Sequence, residues 1–286
     1  MTKTLCLTLA TTWLITACGA PPPGGTGGAG GSSGASGARC DVTQANIVCR
    51  SKPIVTIATG ADSRRVYWND PLTAAPASGW PAVVLYQGSF FGPSVTWDVP
   101  LARGTTPFGG DVQVELVATL IERGFVVIQP EAPGGIAWNT NIGGAYEGTA
   151  DAVFIPKLLD EMARGRFGHI DMTRLYAAGI SSGGYMTSRM AVSYPGRFRA
   201  LAIQSGSYAT CLGPLCSVPA VLPQDHPPTL FLHGGADLIV GIATARDYYN
   251  KLQTNRITTK FVENPTADHR WITAAPSEIL AWFTTH

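Results

Sequence analysis

Arg174-Leu175-Tyr176-Ala177-Ala178-Gly179-Ile180-Ser181-Ser182-Gly183-Gly184-Tyr185 joins an apolar, strand-like run to a helix-like run that continues to Tyr194. Between the two, Gly179-x-Ser181-x-Gly183 has the form of a sharp strand-to-helix turn with a serine at its apex. Glycines two residues to either side let strand and helix approach closely enough for the backbone to make that turn. In a chain of 286 residues with 33 glycines the pentapeptide alone is a weak signal. Its placement between strand and helix carries the weight and points to a serine nucleophile on an α/β scaffold.

Further runs rich in β-branched residues lie at Ile54–Ala58, Val66–Asn69, Ala82–Tyr86, Phe125–Gln129, Ala200–Gln204, Thr229–His233 and Thr259–Glu263. Helical periodicity fills most of the later gaps. Asp111–Arg123 sets Val114, Val117, Ala118 and Ile121 on one face, and Thr149–Ala163 does the same with Val153, Ile155, Leu158 and Leu159. Ile242–Leu252 and Pro276–Phe283 follow. Two early strands without a helix between them, then regular alternation, predict an α/β-hydrolase fold: a mostly parallel sheet with helices on both faces.

A serine hydroxyl is a poor nucleophile at neutral pH and needs a histidine base held by an acid. In this fold the order along the chain is serine, acid, histidine. Leu230 to Asp237 reads as an apolar strand ending in Gly234-Gly235, a turn that delivers Asp237 at the carboxyl edge of the sheet. Beyond the last strand, the loop from Asn264 to Trp271 presents His269. Ser181, Asp237 and His269 are therefore the expected triad, spaced 56 and then 32 residues apart. Asp268 is the rival acid, and Asp237 has a competing role as a helix cap. His233 is expected to be packed near the site, with His226 and His169 facing solvent.

The tetrahedral intermediate of acyl transfer needs two N–H donors. One is expected from Ser182, after the nucleophile. The other comes from the loop Tyr86-Gln87-Gly88-Ser89-Phe90-Phe91, assigned to Ser89 with Phe90 one register away. Aromatic residues in that loop and in the one from Glu131 to Tyr146 compete between two roles, pinning the loops to the core or lining a substrate groove. Phe90 and Trp138 are the groove candidates.

Residues 1–18 have the layout of an export signal, with Lys3, an apolar stretch from Leu5 to Ile15, and a lipobox-like approach to Cys18. A lipidated Cys18 tethering the protein to a membrane is the expectation, with an ordinary secretory signal as the alternative. Residues 19–38 are almost wholly Gly, Ala, Ser and Pro, a flexible linker spanning roughly 25 Å. Residues 39–286 form the expected catalytic domain. In an oxidising compartment its Cys40, Cys49, Cys211 and Cys216 pair into two disulfides. Three pairings satisfy the count, and short loops favour Cys40–Cys49 with Cys211–Cys216. Neither cysteine nor histidine spacing implies a metal, and a net charge of +1 gives no electrostatic reason to bind nucleic acid.

Taken with Gln87-Gly88-Ser89-Phe90-Phe91, His233-Gly234-Gly235-Ala236-Asp237 and Asp268-His269, the Ile180-Ser181-Ser182-Gly183 box resembles that of extracellular medium-chain-length polyhydroxyalkanoate depolymerases, from about Ile54 to the last helix. The resemblance implies hydrolysis of aliphatic polyesters, the same triad and no cofactor. Many related esterases carry His-Gly where this chain has Gln87-Gly88, which leaves the oxyanion loop as the point of departure. No separate polymer-binding module is expected, so adsorption falls to the catalytic domain's own surface. Competing functions are hydrolysis of small, feruloyl or aromatic esters, peptidase activity on the same scaffold, and a non-catalytic surface-binding lipoprotein.

Overall fold

A computed structural model describes residues 38–286 except 61, 141–144 and 212–214. The signal-like segment, the linker up to residue 37 and Cys18 lie outside the described residues. Cys40 and Cys49 stand opposite each other in an antiparallel pair, β1 (Cys40–Val42) and β2 (Asn46–Cys49), and are joined by a disulfide. The main sheet begins with β3 (Val55–Ala58), β4 (Ser63–Asn69) and β5 (Trp80–Tyr86). A short β6 (Leu101–Ala102) returns to pair with β2. Then α1 (Gly110–Glu122), β7 (Val126–Pro130), α2 (Ala150–Ala163), β8 (Ile170–Ile180) and α3 (Ser182–Ser193) follow. The chain closes with β9 (Ala200–Gln204), β10 (Thr229–Gly234), α4 (Ile242–Thr254), β11 (Thr259–Asn264) and α5 (Ala275–Thr285).

The eight strands of the main sheet run in the order β11-β10-β9-β8-β5-β7-β4-β3. From β7 to β11 every pairing is parallel, and β4 alone runs against its neighbours β3 and β7. All eight runs expected as main-sheet strands are present. The small three-stranded sheet was not among them, because β1 and β6 are too short to show alternation.

Successive residues of a strand face opposite sides of a sheet. Val83 and Leu85 of β5 accordingly join one core with α1 and α5, while Ala82, Val84 and Tyr86 join a second with α2 and α3. A third core packs α4 against β9 and β10 through Ile203, Phe231, Tyr248 and Leu252. On α2 the buried face includes Phe154, Ile155, Leu158, Leu159 and Met162, whereas Val153 is exposed, a correction to the expected stripe. His226 also departs from expectation. It is buried, with Nδ1 against the Pro227 carbonyl at 2.8 Å and Nε2 against the Tyr248 hydroxyl at 2.6 Å. His169 is exposed.

Strand register sets where chemistry can occur. Tyr86 pairs with Gly179, Ile180 with Gln204, and Gly234 with Asn264, so the carboxyl ends of β5, β8, β9, β10 and β11 share one edge. The chain leaves β5 toward β7 on one side and later returns as β8 on the other, which opens a crevice between β5 and β8 at that edge.

Candidate active site

Ser181 occupies the crevice in a backbone conformation that L-residues rarely adopt, φ 58° and ψ −123°. Its neighbours make the turn possible. A Cβ on Gly179 would lie 2.3 Å from the Gly183 carbonyl oxygen, and one on Gly183 would lie 2.2 Å from the Tyr86 carbonyl oxygen. No side chain fits either gap. Ser181 N–H donates to the Gln204 carbonyl at 3.1 Å, and the Gln204 side chain accepts from Ile272 N–H at 3.2 Å. One buried glutamine thereby ties the serine turn to the segment that follows His269.

Asp237 and His269, 32 residues apart, meet because the turn after β10 and the loop after β11 are hydrogen-bonded to each other. Gly235 N–H donates to the Asn264 carbonyl at 2.8 Å and Ala236 N–H to the Ala267 carbonyl at 3.0 Å. The approach is tight enough that a Cβ on Gly234 would strike the Ala267 carbonyl at 2.3 Å. His269 Nδ1–H then donates to Asp237 Oδ2 at 2.8 Å. The other carboxylate oxygen accepts from Ile239 and Val240 N–H, each at 2.9 Å. Burial opposes ionisation of Asp237, but the His269 hydrogen bond, the two amides and the attraction of the imidazole outweigh it, and the carboxyl titrates below its ordinary value. An ionised Asp237 fixes the His269 tautomer with Nε2 free to accept a proton.

Asp268, the rival acid, is exposed and forms an ion pair with Arg270. That hydrogen bond and the guanidinium charge hold its carboxyl below the usual range, despite a small opposing desolvation. His233 is packed beside the site as expected: Nε2–H donates to the Val240 carbonyl at 2.8 Å, and burial keeps the ring neutral by lowering its pKa.

Ser181 and His269 share the wall of one apolar cavity of about 270 Å³, together with Ser89, Phe90, Phe91, Phe108, Gln113, Ile180, Ile239 and Trp271. The Phe108 ring stands edge-on to the His269 imidazole at 6.2 Å. Phe90 is 79% exposed at the rim, with φ 61°. Its N–H donates to the Ile136 carbonyl at 2.8 Å, while Ser89 N–H meets no acceptor among the described residues. Of the two registers considered for the second oxyanion donor, only Ser89 has its amide free. Ser182 sits at the first position of α3, where a helical N–H has no intrahelical acceptor.

Trp138 corrects the groove expectation. It is fully buried, edge-on to Tyr86, and its Nε1–H donates to the Gln87 carbonyl at 3.1 Å. Gln87 is buried too. Its Oε1 accepts from Ala132 N–H at 3.1 Å and its Nε2 donates to the Gly135 carbonyl at 3.2 Å. Trp138 and Gln87 clamp the loop carrying Ser89 from behind and present nothing to the cavity. Among the described residues no group of three His, Cys, Asp or Glu side chains is placed to hold a metal ion.

Known proteins are similar to this chain in sequence and in fold. The prolyl oligopeptidase family matches residues 112–212, the span from α1 through the serine turn to β9 and just beyond. The poly(3-hydroxyoctanoate) depolymerase of Pseudomonas fluorescens is 49% identical over 230 residues, 78% of this chain and 80% of that one. The chain belongs to the poly(3-hydroxyoctanoate) depolymerase family. Solved structures agree on the fold. A thermostable esterase superposes with a TM-score of 0.58 at 17% identity, over 81% of this chain and 62% of its own. Esterase 2 of Thermogutta terrifontis does so with 0.55 at 17%, over 82% and 93%. Within this α/β-hydrolase family member, Gln113 and Gln204 are site residues that sequence reasoning passed over, and Gln87 was noted only as a departure in the oxyanion loop, without its bracing role. Their one visible signal was a polar amide inside, or at the end of, an apolar run.

Proposed function

We propose that the protein is a serine esterase that hydrolyses the ester bonds of an aliphatic polyester of the medium-chain-length poly(3-hydroxyalkanoate) class. Ser181 Oγ attacks the ester carbonyl while His269 Nε2 takes its proton, and Asp237 stabilises the imidazolium that forms. The oxyanion receives N–H bonds from Ser182 and Ser89. Collapse expels the alcohol end of the adjoining chain, protonated by His269, and leaves an acyl-enzyme on Ser181. Water, activated by the same imidazole, releases the hydroxy acid and restores the serine. None of these steps uses a cofactor.

The observation that carries the reading is the Asp237–His269 pair opening on an apolar cavity whose wall includes a serine at a strained strand-to-helix turn. Support for an insoluble substrate comes from Phe90, Phe108, Leu238 and Ile239, which are exposed at or beside the cavity and offer the domain's own surface to a polymer. The depolymerase relative supports the same substrate class. Purified protein should clear an opaque poly(3-hydroxyoctanoate) suspension and release hydroxy acids detectable by mass spectrometry, with Ser181→Ala inactive. Activity confined to soluble p-nitrophenyl esters, or cleavage of peptidyl anilides in place of esters, would contradict it.

Export with a lipid tether at Cys18 completes the proposal. The disulfides Cys40–Cys49 and Cys211–Cys216 support an oxidising destination. Metabolic labelling with a palmitate analogue should mark the wild type and spare Cys18→Ser, and equal labelling of both would remove the tether.

A further inference from the structure

Gln113, in the first turn of α1, is 1% exposed, yet it forms part of the wall of the cavity shared by Ser181 and His269. Its Oε1 accepts a hydrogen bond from Trp271 Nε1–H at 3.0 Å. An indole nitrogen only donates, so this contact determines which way the amide is turned and commits Nε2 to the other side. Nε2 is buried and meets no acceptor among the described residues. Buried amide donors are almost always satisfied, and an exception at a ligand cavity calls for an explanation. Around it the wall is apolar, with Phe91, Phe108 and Ile180. The cavity's other polar groups, Ser89, Ser181 and His269, belong to the reacting centre, which leaves Gln113 Nε2 as a donor without an assigned substrate oxygen.

We propose that Gln113 is a specificity-determining residue whose Nε2 donates a hydrogen bond to the ester carbonyl oxygen of the repeat unit next to the scissile bond. This rests on the ester-hydrolase reading of Ser181. In a 3-acyloxyalkanoate that second carbonyl lies one repeat from the reacting carbon, within the same ligand. A substrate of equal length that lacks the oxygen buries the donor unmet. Sites built to hydrogen-bond one substrate group discriminate strongly against analogues without it. The discrimination expected here is about tenfold or more in kcat/KM, carried mainly by KM because the bond is already made in the bound ground state.

The test compares p-nitrophenyl 3-(acyloxy)octanoate with the 3-alkoxy ether of matched length, which differs only in the missing carbonyl oxygen. Wild type should prefer the acyloxy ester by about tenfold or more, and Gln113→Met should bring the two rates within about twofold of each other. No preference in wild type overturns the proposal without any variant having to fold. So does a Gln113→Met enzyme that loses activity equally on both substrates, since a purely structural role leaves the ratio intact. Absence of Ser181-dependent hydrolysis of either ester defeats the esterase reading itself, and the proposal with it.

Discussion

Asp237→Asn separates the chemistry of the site from its architecture. Asparagine is nearly isosteric, and its carbonyl oxygen can still accept from the Ile239 and Val240 amides, so the turn after β10 stays in place. Its NH₂ then faces His269 Nδ1, where the carboxylate accepted a hydrogen bond at 2.8 Å. Two donors cannot share that contact, so the imidazole moves its proton to Nε2 and can no longer accept one from Ser181. The imidazolium also loses its counter-charge. At 2.8 Å and an effective dielectric of about 20 that attraction is ~6 kcal/mol. At about 1.4 kcal/mol per tenfold in rate, the loss corresponds to roughly 10⁴-fold in kcat. Steady-state hydrolysis of p-nitrophenyl butyrate reads the rate, and a urea titration with circular dichroism confirms folding. Asp268→Asn is the internal control and should leave kcat within about twofold, because Asp268 engages Arg270 at the surface. Retention of more than about a tenth of wild-type kcat by Asp237→Asn, or an equal fall in Asp268→Asn, would refute this role for Asp237.

Gly183→Ala forces a Cβ to within 2.2 Å of the Tyr86 carbonyl, and the backbone shift should lower stability by about 1–3 kcal/mol. An unchanged urea midpoint would show that the turn has slack. Trp138→Phe keeps the edge-on contact with Tyr86 and loses the N–H bond to Gln87, so kcat should drop about fivefold with KM unchanged. A raised KM at constant kcat would restore the groove role. Burial depresses the pKa of His226 and His233, so below about pH 6.5 the unfolded chain binds more protons than the folded one. Stability from this source is complete above that pH and is lost as pH falls toward the depressed values, by up to about 1.4 kcal/mol per pH unit for each histidine. Urea midpoints from pH 7.5 to 5 should show the decline, with His226→Gln roughly halving its slope; a flat profile would contradict it.

Elements with strong local signals were legible from residue order. The eight strands are runs of β-branched and apolar residues bounded by turn formers, and five helices carry a 3.6-residue stripe. Where the stripe was shared between faces, as at Val153 on α2, periodicity alone chose wrongly. The short strands β1 and β6 were invisible because two or three residues cannot display alternation; they exist through pairing with β2 and the Cys40–Cys49 crosslink. His226 looked like a loop residue facing water. It is buried because Tyr248, 22 positions on, supplies the hydrogen bond that makes its burial tolerable.

Residue order by itself determined the class of fold, the serine turn, the candidate acid and the candidate base, because each is written in a local pattern: glycine spacing, an apolar strand with a small-residue end, a histidine before the last helix. Tertiary structure alone decided that His269 takes Asp237 and not the adjacent Asp268, that Trp138 braces the Ser89 loop from inside the core, and that Gln113, on the cavity wall, keeps a buried amide nitrogen without an acceptor among the described residues. Those outcomes depend on the register of parallel strands and on which side chains packing seals from water. Both are set by contacts between segments tens of residues apart, and a hydrogen bond across such a distance leaves no trace in the spacing of its partners.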